Sequence, residues 1–159
     1  MRLWRVSNHA DLSGEGGRRV QGRWHERGQP VVYLSEHAAL AVLERLVHLG
    51  VDPEDLPSHY QLLTIDVPDD VAVENLAEPE VAARVADWRY APDETRKLTH
   101  AWFRDRRTAL LRVPSVIVPD AFNYLLNPRH LETARIAIIA RQRVEFDVRL
   151  FGIRPAGGR

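Results

Sequence analysis

The sequence predicts an α+β domain, and three observations carry that expectation. Apolar β-rich runs and helical patterns mix without regular strand–helix–strand alternation, an amphipathic helix follows at once on the second strand, and 159 residues suffice for one core but not two. The expected architecture is a single compact domain over residues 1–151, with a mixed β-sheet core and flanking helices. Residues 152–159, ending Pro155-Ala156-Gly157-Gly158-Arg159, read as a loose tail.

Leu3-Trp4-Arg5-Val6 reads as a short first strand. A glycine-rich run from Ser13 to Trp24 follows, whose glycines suggest close backbone approach. Pro30-Val31-Val32-Tyr33-Leu34 reads as a strand entered through a proline turn. It feeds a helix from Ala38 to Leu49, because apolar residues recur at 39, 40, 43, 46 and 47 and Gly50 stops the run. Ser35 is the expected N-cap, and Glu36 suits the positive end of that helix. Beyond Pro53 and Pro57, Tyr60 to Val67 is the clearest strand, closed by Pro68-Asp69-Asp70. Helices are expected from Pro79 to about Trp88 and from Asp93 to about Arg106, with Trp102 and Phe103 in the core. Two strand-like runs follow, Ala109–Val113 and Ser115–Val118, and Pro114 between them implies an edge or a break. The segment Asn123–His130 is polar and turn-like at its ends, and Val144–Phe151 alternates as a terminal strand would.

Composition excludes several classes of function. Lys plus Arg and Asp plus Glu both number 22, so no broad basic footprint for nucleic acid exists. The absence of cysteine removes thiolate nucleophiles, thiolate metal sites and disulfides, and fits a reducing, cytoplasmic setting. No segment approaches the roughly 18 apolar residues of a membrane span, and the N-terminus lacks a signal-peptide core. The seven histidines include no pair at the i, i+4 spacing of a helical metal site, so no metal is expected. Neither a Gly-x-Ser-x-Gly elbow nor a phosphate-binding loop is present.

Glu44 breaks the pattern. It shares a helix face with Leu40, Val47 and His48, where an isolated carboxylate is costly to desolvate. Either it borders a cleft, or it leans to water and pairs with Arg45 or His48. Structural readings exist for its companions too: Arg23 as a partner of Glu15 or Glu26, Tyr33 as an ordinary strand aromatic, and Ser115 or Asn127 as turn residues.

Taken in order, Trp4-Arg5, Gly22-Arg23-Trp24, Tyr33-Leu34-Ser35, Ala41-Val42-Leu43-Glu44, Val113-Pro114-Ser115 and Asn123-Tyr124-Leu125-Leu126-Asn127-Pro128-x-His130 resemble the RES domain. The resemblance runs from Trp4 to about Phe151. One departure is His25, where the family often has Asn after Gly-Arg-Trp. The resemblance implies an ADP-ribosyltransferase-like fold and the toxin of a bacterial RES–Xre toxin–antitoxin pair, which degrades NAD⁺ as substrate and so arrests growth. It further implies that Glu44 stabilises positive charge developing on the ribose, that Arg23 grips the diphosphate, and that Tyr33 stacks against the nicotinamide or ribose. Ser115 and Asn127 would add neutral hydrogen bonds, with Asn123 and His130 as second choices, while Arg5 and Trp24 read as scaffold. An Xre-type helix-turn-helix antitoxin is the implied partner, with DNA binding left to it; self-association stays open. The alternatives are ADP-ribosyl transfer to a protein and a non-catalytic binding module.

Overall fold

The computed structural model describes residues 1–49 and 60–151, so Gly50, Pro53, Pro57 and the 152–159 tail lie outside the described residues. Seven strands form one sheet: β1 (Arg2–Ser7), β2 (Val32–Ser35), β3 (Gln61–Asp66), β4 (Val73–Asn75), β5 (Leu110–Pro114), β6 (Phe122–Leu126) and β7 (Ala137–Arg143). Their order is β4-β5-β6-β2-β1-β3-β7, and among the described residues only the β4–β5 pair is parallel. The helices are α1 (Glu15–Arg19), α2 (Ala38–Leu49), α3 (Glu78–Arg84) and α4 (Pro92–Asp105). The last two cross over between the parallel strands, as a parallel pair requires. A mixed sheet with segregated helices is the α+β class the sequence predicts.

Strand alternation divides the core between the two faces of the sheet. Leu3, Val32, Leu34, Leu63, Ile65, Leu110, Tyr124 and Leu126 build one cluster. Their neighbours Val31, Leu111, Val113 and Leu125 turn to the opposite face, against Trp24, Trp88, Trp102 and Phe103. Trp102 and Phe103 are buried as expected, with ring centroids 4.6 Å apart in an edge-on arrangement. Farther along that second face, Ala41 of α2 packs with Val6 and Tyr60. The site lies between these last two clusters.

Four sequence expectations are corrected. Ser115–Val118 is a loop and not a strand: the Ser115 hydroxyl accepts hydrogen bonds from the Ile117 and Val118 amides, which folds the chain over on itself. The strand ends at Pro114, which is the break the proline implies. Asn123–Leu126 belongs to a sheet strand, β6, paired on both sides by β2 and β5. Val144–Phe151 is not the terminal strand; β7 precedes it, and Val144 and Phe146 owe their alternation to packing against the Tyr60 cluster. Finally, Ser35 does not cap α2. It ends β2, and its hydroxyl points across to Asn123 at 2.8 Å, while Glu36 accepts from the Phe122 amide at 2.7 Å.

Candidate active site

A cleft of about 490 Å³ opens between α2, the loop before β2, and the loop that leaves β5. Glu44, Arg23, Tyr33 and Asn123 line it, and Ser115 supports it from behind.

Glu44 is placed by the middle of α2, and its partners fix it there. Its Oε1 accepts from the Ser115 hydroxyl at 2.9 Å and from the Asn123 side-chain amide at 2.5 Å. Ser115 is 1 % exposed, and its oxygen already accepts two backbone amides, so its single proton is directed at Glu44. Asn123 is oriented in turn by Ser35, whose hydroxyl donates to the amide oxygen. Thus a chain Ser35–Asn123–Glu44–Ser115 holds one carboxylate oxygen, while Oε2 takes no hydrogen bond from the described residues. Neither Arg45 nor His48 pairs with Glu44. Arg45 instead donates to the Tyr60 hydroxyl and lies over that ring, 4.5 Å from its centroid.

Arg23 is anchored at one nitrogen by the Trp88 carbonyl, 3.0 Å away. Burial lowers its pKa from the ordinary guanidinium value, against the opposing pull of nearby Tyr33 and Glu44. It remains a cation facing the cleft, and its guanidinium retains N–H donors beyond the one given to Trp88. The loop that carries it is clamped from α4. Arg96 donates to the Gly22 carbonyl, Thr95 to that of Arg23, and Thr99 to that of Trp24, at 3.1, 2.8 and 2.5 Å. All three side chains are buried, and the two threonine hydroxyls are satisfied there, whereas Arg96 Nε makes no hydrogen bond among the described residues and faces the Glu26 carboxylate at 3.6 Å.

Tyr33 points its hydroxyl inward. The Trp24 amide donates to it at 3.1 Å, and it lies 2.9 Å from His25 Nδ1. Burial raises the Tyr33 pKa well above the ordinary phenol value, so the ring is neutral at physiological pH. Gly22 must be glycine here, because a Cβ would come within 2.6 Å of that hydroxyl.

The structure does not bring every expected residue together. Asn127 lies just past the far end of β6, about 13 Å along the chain direction from Asn123. Its Oδ1 accepts from the Arg129 amide, and its Nδ2 is buried without a partner among the described residues. His130 caps a short 3₁₀ turn, accepting from the Glu132 amide. Neither is among the cleft's lining residues. Sequence reasoning passed over Ser35, His25 and the α4 clamp, and it placed Arg5 in the scaffold. Arg5 lines the cleft beside Arg45, with its pKa lowered chiefly by burial. Among the described residues no three His, Asp or Glu side chains gather to hold a metal ion.

A fixed carboxylate with one open oxygen, arginines along the same cleft and a neutral aromatic ring suit a cationic sugar intermediate attached to phosphate. The chain is also similar to known proteins. The profile of the RES domain matches residues 2–148. A protein named Toxin Res from Pseudomonas putida is 46% identical over 151 residues, covering 95% of this chain and all of the relative. The Prs ADP-ribosylating toxin of Sphingobium sp. is 40% identical, covering 80% of this chain and 83% of the relative. The crystal structure of the M. tuberculosis MbcT–MbcA toxin–antitoxin complex contains a chain that superposes with a TM-score of 0.72 at 25% identity, over 90% of this chain and 83% of that one. With the match spanning almost its whole length, the chain belongs to the RES domain family.

Proposed function

We propose that this RES-domain protein is the toxin of a toxin–antitoxin pair and that it cleaves the nicotinamide–ribose bond of NAD⁺. The observation that carries the reading is Glu44: Ser115 and Asn123 hold its Oε1, and Oε2 is open beside Arg23 and Tyr33. When the C1′–N bond breaks, its electron pair leaves with nicotinamide as a neutral base, and positive charge develops on the ribose. No general acid is required for that departure. A carboxylate oriented by two donors on Oε1 stabilises the developing charge through Oε2 without reorganising. Arg23 supplies a permanently charged fork for the diphosphate, and the cationic Arg5 and Arg45 line the same cleft. The ring of Tyr33 supplies a flat face for the base or sugar, and its hydroxyl is held away.

Water or phosphate then attacks C1′, with the water proton passing to solvent. Transfer to a protein acceptor is the second reading, favoured by the relative named as an ADP-ribosylating toxin. The likeness to a chain of a toxin–antitoxin complex supports an antitoxin partner, and the family resemblance points to the Xre helix-turn-helix type. Mass spectrometry of NAD⁺ incubated with antitoxin-free protein tests the reading, with phosphate and cell extract as separate additions. Free ADP-ribose, its 1″-phosphate or labelled protein identifies the acceptor, while NAD⁺ left intact under all conditions overturns the proposal.

A further inference from the structure

His25 follows the Arg23-Trp24 pair yet contributes nothing to the chemistry above, although it is 3 % exposed and sits beside the cleft. Its two ring nitrogens have unlike partners. Nε2 lies 3.0 Å from the Val20 carbonyl, which can only accept, so Nε2 bears the proton. Nδ1 of the neutral ring is therefore bare and must accept, and the Tyr33 hydroxyl 2.9 Å away is its donor. The same hydroxyl accepts from the Trp24 amide, so its one proton is committed to His25. Backbone crowds this contact from two sides. A Cβ on Gly22 would meet the His25 ring at 2.8 Å, and one on Gly17 would meet Nε2 at 3.0 Å.

We propose that His25 is a positioning residue: through Nδ1 it fixes the inward tilt of Tyr33, and so sets the aromatic surface that the cleft presents to substrate. The Val20 carbonyl selects the tautomer that does this. The tether accounts for a tyrosine whose hydroxyl proton is unavailable to ligand, so that the ring, and no phenol donor, does the recognising. This inference rests on the reading of the cleft as an NAD⁺ site only for its kinetic part; the contact itself is a property of the free protein.

Two substitutions separate the two bonds. His25→Asn places an amide oxygen near the position of Nδ1 and loses reach to Val20; His25→Gln reaches toward Val20 and loses the acceptor for Tyr33. In the free wild-type protein, ¹⁵N chemical shifts should show a protonated Nε2 and a bare Nδ1, with a slowly exchanging Tyr33 hydroxyl proton. That proton resonance should persist in His25→Asn and vanish in His25→Gln. With NAD⁺, kcat/KM should stay within about twofold for His25→Asn and fall about five- to tenfold for His25→Gln, the scale of one hydrogen bond. In a Tyr33→Phe background, His25→Gln should add nothing. The opposite tautomer, a Tyr33 resonance retained in His25→Gln, or activity lost in Asn and kept in Gln would overturn the proposal. Absence of NAD⁺ turnover in the wild type would sink the reading of the cleft alone, and the resonances would still decide the tether.

Discussion

Glu44 divides its work between two oxygens, one bound to the protein and one open to the cleft. Glu44→Gln keeps the shape and can still accept from Ser115, but loses the charge. NAD⁺ cleavage should fall about 10²–10³-fold, as for loss of one preorganised electrostatic group, with little change in melting temperature. Asn123→Asp is expected to be worse than its size suggests, because it sets a second carboxylate against the first; purified protein should show both lowered stability and lost turnover. The anomaly at Glu44 was legible as a charge on an apolar helix face, and Arg23 and Tyr33 were legible from their motifs. Ser35 was not. Serine before a helix suits an N-cap equally well, and only the register Ser35↔Asn123 between β2 and β6 shows which bond it makes. Asn127 lies away from the cleft: an asparagine before Pro128 satisfies a turn as readily as a ligand, and here it serves the Arg129 amide.

At the scale of elements, the loop from Gly22 to Trp24 is held by α4 through three successive carbonyls. Thr95→Val and Thr99→Val each leave a carbonyl without its side-chain donor, and each should cost about 1–3 kcal/mol in denaturant unfolding. The double variant should also lose NAD⁺ affinity, because Arg23 and Trp24 ride on that loop. Gly22→Ala should be more damaging to activity than its one methyl implies, since the new Cβ collides with the Tyr33 hydroxyl; a Tyr33→Phe change should partly rescue it. The helix itself was legible from Trp102 and Phe103, but the targets of its buried polar side chains follow from tertiary packing that no periodicity encodes. β7 was missed for a related reason. It is an edge strand, mostly exposed, so its two faces do not separate into apolar and polar residues, whereas the segment after it alternates because two of its side chains dock.

Across the whole molecule, the sheet turns two apolar clusters to opposite faces and leaves the cleft where the second face changes partners, between the tryptophan cluster and α2. The α+β class was readable from the mixture of elements, and the order of the strands was not, because long-range pairing is not written in local pattern. Stability should report on this buried polar seam. Burial holds the His25 imidazole below its ordinary pKa of 6.5, only partly offset by the Val20 carbonyl. The unfolded chain then binds a proton that the folded one resists, so this contribution is fully present above pH 6.5 and is lost as pH falls through the lowered native value. Thermal melts of wild type and His25→Asn should therefore diverge least in mild acid, where the wild type has lost that advantage. The most direct test of the central claim is a time course of nicotinamide release from NAD⁺ by antitoxin-free wild type beside Glu44→Gln of unchanged fold. Steady release by the wild type and near-complete loss in the variant is the predicted result; equal release by both, or none by either, would contradict it.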